Sequence, residues 1–143
     1  MKIILDTNIL ISSFVFDGQI ETMFERCLEN DNITLLCSQA IWAEITTKFQ
    51  GGRVLKISQK SKRLITDELI QEFLDRLKPV VEFWPTEKKF ELSRDIKDNM
   101  FLDLAFATKA DYIITGDQDL LIIKSFGDTL IVGPSEFVKI ESV

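Results

Sequence analysis

The feature that most constrains this chain is its alternation of short apolar runs with longer segments of helical periodicity. Five strands are predicted, and each is mainly a run of consecutive apolar residues: 2–6, 34–37, 80–84, 112–115 and 129–132. Strands that are buried on both faces have this composition, which is typical of a parallel sheet covered by helices. The pattern therefore predicts an α/β fold with helices on both faces of a mainly parallel sheet of about five strands.

Helices are predicted between the strands, at residues 8–16, 19–29, 39–50, 66–78 and 98–109. The segment 66–78 shows the periodicity most clearly, because its large apolar residues share one helical face: Leu69, Ile70, Phe73, Leu74 and Leu77. The chain has only three Pro and six Gly among its 143 residues, which leaves little room for linkers. We therefore predict a single domain that spans residues 1–143.

Composition excludes several kinds of chemistry. The chain contains no histidine, which excludes Ser-His-Asp and Cys-His catalysis and histidine-ligated zinc. Cys27 and Cys37 are too few for a disulfide framework, and we expect them to be small buried residues. No apolar run approaches the roughly 18–20 residues that a membrane span needs, and the N-terminus lacks a signal-peptide pattern. These observations favour a soluble, cytoplasmic protein.

Acidic residues occur where predicted strands end and where predicted helices begin. Asp6 follows the first strand, and Asp117 lies two residues past Thr115, at the end of the fourth strand. Asp98 opens the helix that leads into the fourth strand, and Glu44 lies in the helix after the second strand, partly turned inward. Each acid alone has an ordinary explanation. Asp6, or its neighbour Thr7 or Asn8, can cap the first helix, and Asp98 can cap its own. Asp117 can be a turn residue, and Glu44 can lie on a solvated flank of its helix.

Together, the four carboxylates converge if the first and fourth strands are neighbours in the sheet. Sites in open α/β sheets form outside the carboxyl ends of the strands, near the point where the strand order reverses. Four carboxylates cannot stand together fully ionised without compensation. The usual compensation is a hard divalent cation with oxygen ligands, such as magnesium or manganese, so the pattern indicates a metal site.

These motifs resemble those of the PIN-domain nucleases. The resemblance rests on Asp6-Thr7-Asn8 after the first strand, on the inward Glu44, and on the stretch RDIKDNMFLDLAFATKADYIITGDQDLL, residues 94–121. That stretch is similar to bacterial toxin components related to the VapC toxins of toxin–antitoxin pairs. The resemblance covers essentially the whole chain and implies a three-layer α/β/α sandwich around a parallel sheet, in agreement with the pattern above.

The resemblance also implies an activity and a set of site residues. It implies an endoribonuclease that cleaves RNA phosphodiester bonds with a water activated by Mg²⁺ or Mn²⁺. The four acids that it assigns as catalytic metal ligands are Asp6, Glu44, Asp98 and Asp117. Asn8 and Thr115 match polar residues that support the cluster by hydrogen bonds. Further acids near the motifs, which can join the site or replace one of its ligands, are Asp95, Asp103 and Asp119.

A basic segment stands out in an otherwise acidic chain. Six basic residues and no acids lie between residues 48 and 63, which leaves 11 basic against 23 acidic residues elsewhere. They are candidates for contacts with RNA phosphates, because Lys and Arg supply affinity in this way: Lys48, Arg53, Lys56, Lys60, Lys62 and Arg63. A solvated surface segment is the alternative. The resemblance further implies a homodimer and a cognate antitoxin as partners.

Two other functions fit parts of the pattern. A phosphatase of the haloacid dehalogenase type also places an Asp after its first strand, but it needs a second Asp two residues later, where this chain has Asn8. A catalytically silent PIN-like or receiver-like module would bind a metal or a partner without cleaving RNA. The presence of all four acids favours the nuclease over the silent module.

Overall fold

A mostly parallel sheet forms the centre of the computed structural model, which describes residues 1–87, 90 and 96–141. Six strands are present in this part of the chain: β1 (Lys2–Leu5), β2 (Thr34–Cys37), β3 (Glu82–Phe83), β4 (Tyr112–Ile114), β5 (Ser125–Phe126) and β6 (Thr129–Val132). Their order in the sheet is β3-β2-β1-β4-β6-β5, and only the pairing of β5 with β6 is antiparallel. The predicted α/β class with a mainly parallel sheet is confirmed.

The strand order reverses at β1. Lys2 lies opposite Thr34 of β2, and on the other side of β1 Leu5 lies opposite Ile114 of β4. The condition for convergence of the acids, that the first and fourth strands are neighbours, is therefore met. The carboxyl ends of β1 and β4 meet where an open α/β sheet places its binding crevice.

Eight helices flank the sheet within the described ranges: α1 (Thr7–Val15), α2 (Gln19–Glu29), α3 (Gln39–Gln50), α4 (Arg53–Ser58), α5 (Asp67–Leu77), α6 (Asn99–Thr108), α7 (Gln118–Leu121) and α8 (Pro134–Glu141). Two helices begin with a hydroxyl N-cap. The Ser38 hydroxyl accepts the N–H of Ile41 at the start of α3, and the Thr66 hydroxyl accepts the N–H of Leu69 at the start of α5. No helix of the described residues combines the length and the apolarity that crossing a bilayer requires.

The predicted helices match α1, α2, α3, α5 and α6 to within a residue or two. The third predicted strand, 80–84, is shorter in the structure, because the N–H groups of Val80 and Val81 both bond to the Leu77 carbonyl and continue the turn after α5. The sequence did not reveal β5, α4, α7 or α8. The first three have two, six and four residues, too few for their periodicity to stand out.

Aromatic packing holds α1, α3 and α5 against one another. The ring of Phe73 lies 4.8 Å from that of Phe14 and 5.4 Å from that of Phe49, measured between centroids. Phe49 is fully buried, as are Ile3 and Ile4 of β1. This packing fixes the position of α3 relative to α1 and β1, and α3 and the start of α1 carry residues of the candidate site.

Candidate metal centre

Asp6 links the sheet to the first helix. Its backbone N–H bonds to the carbonyl of Ile114 at 3.0 Å, so the pairing of β1 with β4 continues up to this residue. One carboxylate oxygen, Oδ1, accepts the N–H of Asn8 at 3.4 Å and caps α1, and the other, Oδ2, accepts the hydroxyl of Thr115 at 2.7 Å. Asp6 therefore caps α1 and also bonds to the side chain that follows the end of β4.

Burial makes the charge of Asp6 costly. Its side chain is almost completely inaccessible, and desolvation raises the pKa of the Asp6 carboxyl above its usual value. The charge of Glu44 acts in the same direction, whereas the Thr115 hydroxyl, the Asn8 N–H and the Lys48 ammonium all favour the ionised form. A carboxylate in this environment gains from any additional positive charge at the crevice.

Thr115 joins the two halves of the site. It is fully buried just after β4, and its N–H bonds to the Val132 carbonyl at 3.0 Å. Its hydroxyl donates to Asp6 and accepts the N–H of Asp117 at 2.9 Å. One hydroxyl thus orients a carboxylate from the β1 end and fixes the backbone of a second acid beyond the β4 end.

Glu44 is held from two sides. Its Oε2 accepts the hydroxyl of Thr7 at 2.7 Å, and its Oε1 lies 3.4 Å from the Nζ of Lys48, one turn further along α3. The side chain of Glu44 is only 13% exposed and that of Lys48 only 21%. Glu44 is therefore turned inward, as its position in the sequence indicates, and it is held by Thr7, the residue next to Asp6.

Three further carboxylates come together on the other side of Thr115. One oxygen from each of Asp98, Asp117 and Asp119 lies within 4.8 Å of the other two. Asp117 caps the one-turn helix α7, because its Oδ1 accepts the N–H of Asp119 at 2.9 Å. The structure thus places Asp119 beside Asp117, whose role the sequence allowed it to share.

Asp98 does not cap α6 in the expected way. It ends a short 3-10 turn, Ile96–Asp98, with helical backbone angles, and its side chain makes no capping hydrogen bond to α6. The carboxylate is buried and directed to the acidic cluster instead. The backbone continues from one helical turn into the next, which leaves the side chain outside the geometry that a cap requires.

The chemistry of these donors fits a hard divalent cation. Every side chain of the cluster offers oxygen, and a group of three carboxylate oxygens within 4.8 Å can share one ion. Asp6 and Glu44 are not members of this group of three, and Asp6 is linked to it through the Thr115 hydroxyl, which also accepts the Asp117 N–H. The donors contain no imidazole and no thiolate, which soft metals and zinc sites favour.

The remaining sequence candidates have different surroundings. Asn8 is exposed and supports Asp6 through its backbone N–H. Asp103 is buried, and its Oδ1 accepts the N–H of Phe90 at 2.7 Å, outside the group of three acids. Asp95 lies outside the described residues.

The six basic candidates separate into two groups. Lys48 pairs with Glu44, and Arg63 pairs with Asp17 and Glu21 and donates to the Phe14 carbonyl at 2.8 Å. These two side chains are engaged within the fold. The other four are exposed on and after α4: Arg53, Lys56, Lys60 and Lys62.

Sequence reasoning missed two contacts of the site. The hydroxyl of Thr7 orients Glu44, although Thr7 stands next to Asp6 and was considered only as a cap. The pairing of Lys48 with Glu44 was also missed, although the four-residue spacing on a predicted helix is a recognisable signal for such pairs.

Comparison with known proteins places this architecture in a family. A family model described as a PIN domain matches residues 2–119. An uncharacterized protein of Methanocaldococcus jannaschii, MJ1680, is 27% identical over 124 residues, which are 87% of this chain and 76% of that protein. A chain in the crystal structure of VapBC2 from Rickettsia felis, bound to a DNA fragment from their promoter, shares the fold with a TM-score of 0.59. It is 17% identical, and the match covers 93% of this chain and 98% of that one. The chain therefore belongs to the PIN domain family, whose members are generally metal-dependent nucleases.

Proposed function

We propose that this protein is a Mg²⁺- or Mn²⁺-dependent endoribonuclease. The observation that supports it best is the link that Thr115 makes, at the carboxyl ends of β1 and β4, between the carboxylate of Asp6 and the backbone of Asp117. On one side Asp6 accepts the Thr115 hydroxyl, and on the other Asp117 stands within the group of three acids. Such a concentration of negative charge favours a cation, and the family provides the matching chemistry.

The proposed metal ligands are Asp6, Glu44, Asp98 and Asp117, with Asp119 as a fifth acid of the site. When bound, the cation would supply a more acidic water and stabilise negative charge that develops on the phosphate. The chain's own contribution is to orient its carboxylates. Thr115 holds Asp6, and Thr7 holds Glu44, each through a hydroxyl at 2.7 Å from the carboxylate oxygen.

RNA is the proposed substrate, and exposed basic residues are its proposed phosphate contacts. Lys56, Lys60 and Lys62 project from the segment that follows α3, which carries Glu44. Phosphate contacts supply affinity that depends on salt, so charge reversal of Lys56, Lys60 and Lys62 should weaken binding and flatten its salt dependence. An unchanged salt dependence would assign the segment to the solvated surface.

We further propose that the protein is the toxin of a toxin–antitoxin pair, acting in the cytoplasm. The fold shared with a VapBC2 chain supports an antitoxin partner. A groove of about 420 Å³ between α2 and α5 offers that partner an apolar floor that includes Phe24, Phe73 and Leu77. Its wall includes Leu69, which is 41% exposed. Co-expression with the product of a neighbouring gene should suppress RNA cleavage, and Leu69→Lys should restore it.

A homodimer is the proposed assembly of the free protein. Its support is the set of large apolar side chains that remain exposed, among them Ile122 (65%), Phe106 (49%) and Leu130 (47%). Light scattering coupled to size exclusion would measure the mass in solution. A monomer at all concentrations would remove the dimer from the proposal.

The deciding experiment compares wild type with Asp6→Asn on a mixed pool of single-stranded and structured RNA. Each protein is assayed with Mn²⁺, with Mg²⁺ and with excess EDTA. We expect cleavage by wild type that depends on the metal and is lost in Asp6→Asn, while circular dichroism shows an unchanged fold. Equal cleavage by both proteins would identify a contaminant and contradict the proposal.

Absence of cleavage would have a different meaning if wild type still bound Mn²⁺. That result would favour the alternative of a catalytically silent binding or regulatory module. In that case Asp6→Asn should lose Mn²⁺ binding, because binding of the metal depends on the Asp6 carboxylate even when no reaction follows.

A further inference from the structure

We propose that Lys48 is a positioning residue that serves as the counterion of Glu44 while the site holds no divalent cation, and that a divalent cation displaces it. This inference rests on the proposed function, because it concerns the same acidic site. It assigns a role to a lysine that would otherwise count only as one of several basic residues near a nucleic-acid surface.

The geometry around Glu44 carries the first step of the argument. The two carboxylate oxygens of Glu44 are divided between a hydroxyl and an ammonium group, Thr7 at 2.7 Å and Lys48 at 3.4 Å. Most pairs of this spacing lie on the solvated face of a helix and contribute little. The pair of Lys48 and Glu44 is different because both side chains are largely buried, at 21% and 13% exposure.

The influence of Lys48 extends beyond its direct partner. The charge of Glu44 opposes the ionisation of Asp6, which is almost fully buried. The Lys48 ammonium acts on Asp6 in the opposite sense and favours its charged form. A single side chain of α3 therefore offsets the repulsion between an acid on its own helix and an acid at the end of β1.

This arrangement predicts two effects of opposite sign. A divalent cation that enters the acidic site encounters the positive charge of Lys48, so the lysine lowers the affinity for the cation. In the absence of the cation the same charge stabilises the fold, because it offsets the like charges of Glu44 and Asp6. A lysine with a merely structural role would stabilise both states equally and would leave the affinity for the cation unchanged.

The test measures Mn²⁺ binding by electron paramagnetic resonance and thermal unfolding, both without RNA. Lys48→Met removes the charge and keeps an unbranched side chain of similar length. We expect it to bind Mn²⁺ about 10-fold more tightly than wild type at low ionic strength. In EDTA, Lys48→Met should melt at a lower temperature than wild type.

Two further variants serve as controls. Lys48→Arg keeps the charge and should stay close to wild type in both measurements. Lys139→Met removes a charge from an exposed lysine of α8 and measures the effect of net charge. The difference between Lys48→Met and Lys139→Met is the quantity that tests the proposal.

The outcomes separate this proposal from the proposed function. Wild type that folds but binds no Mn²⁺ overturns the proposed function, and with it any displacement of Lys48. Wild type that binds Mn²⁺ with the same affinity as Lys48→Met, or more tightly, overturns the proposal for Lys48 alone. A variant that melts like wild type in EDTA also overturns it, because a counterion must stabilise the metal-free site.

Discussion

Replacement of Thr115 by valine should destabilise the protein and uncouple the two halves of the acidic site. Thr115 is fully buried, and valine has nearly the same shape, so the substitution removes a hydroxyl with little change in packing. Two interactions are lost: the donation to Asp6 Oδ2 at 2.7 Å and the acceptance of the Asp117 N–H at 2.9 Å. The first matters more, because its acceptor is a buried carboxylate.

The magnitude follows from these two contacts. A hydrogen bond to a charged group contributes about 1.5–3 kcal/mol, and one between neutral groups about 0.5–1.5 kcal/mol. We expect Thr115→Val to lower the free energy of unfolding by about 2–4 kcal/mol. For a chain of this length that loss corresponds to a fall of roughly 6–12 °C in Tm.

The assay is urea unfolding of the metal-free protein in EDTA at pH 7, followed by far-ultraviolet circular dichroism. Thr115→Ser keeps the hydroxyl and should lose only about 1 kcal/mol for the missing methyl group. Thr129→Val is a matched control, because that buried hydroxyl donates to the neutral carbonyl of Ala110 at 2.6 Å. It should cost about 1 kcal/mol. If Thr115→Val costs no more than Thr129→Val, Asp6 is not held as a charged partner of Thr115, and the reasoning is refuted.

Two other predictions concern groups outside the acidic site. Arg63→Met should lower the free energy of unfolding by about 1–2 kcal/mol, because Arg63 joins the chain after α4 to Asp17, Glu21 and the Phe14 carbonyl, but is partly solvated. Arg63→Lys should recover only part of this loss. If urea unfolding gives Arg63→Lys the stability of wild type, the several contacts of the guanidinium do not contribute to stability. Burial raises the pKa of Cys27 to about 11 and that of Cys37 to about 12, so iodoacetamide at pH 8 should modify neither thiol until urea unfolds the chain. The folded state holds these two protons more tightly than the unfolded state does. The free energy of unfolding should therefore fall as the pH rises above about 9, where the thiols ionise in the unfolded chain first. Rapid modification of the native protein would disprove this burial.

The order of elements and the positions of the acids were readable from the sequence. Consecutive apolar residues in β1 and β4 predict strands buried on both faces, and Asp6 directly after such a strand predicts a polar group at its carboxyl end. The apolar periodicity of 66–78 locates α5, Asp67–Leu77, to within one residue at each end. These features are local, because they depend on the spacing of side chains within one element.

The short elements and the partners of the site residues were not readable. The two residues of β5 become a strand only because β6 lies beside them. Asp98 is well placed in the sequence to cap α6, yet the preceding turn directs its carboxylate to Asp117 and Asp119. A basic run in the sequence does not reveal that Arg63 is engaged by Asp17 and Glu21.

The sequence by itself determined which residues can carry the chemistry: a chain without histidine, rich in acids at strand ends, and with the motifs of the PIN family. Only the tertiary structure decided how those acids are grouped. Thr115 joins Asp6 to the backbone of Asp117, and the hydroxyl of Thr7 on α1 holds the carboxylate of Glu44 on α3. These are contacts between residues up to 109 positions apart, and no local pattern encodes which side chains will meet when the sheet forms.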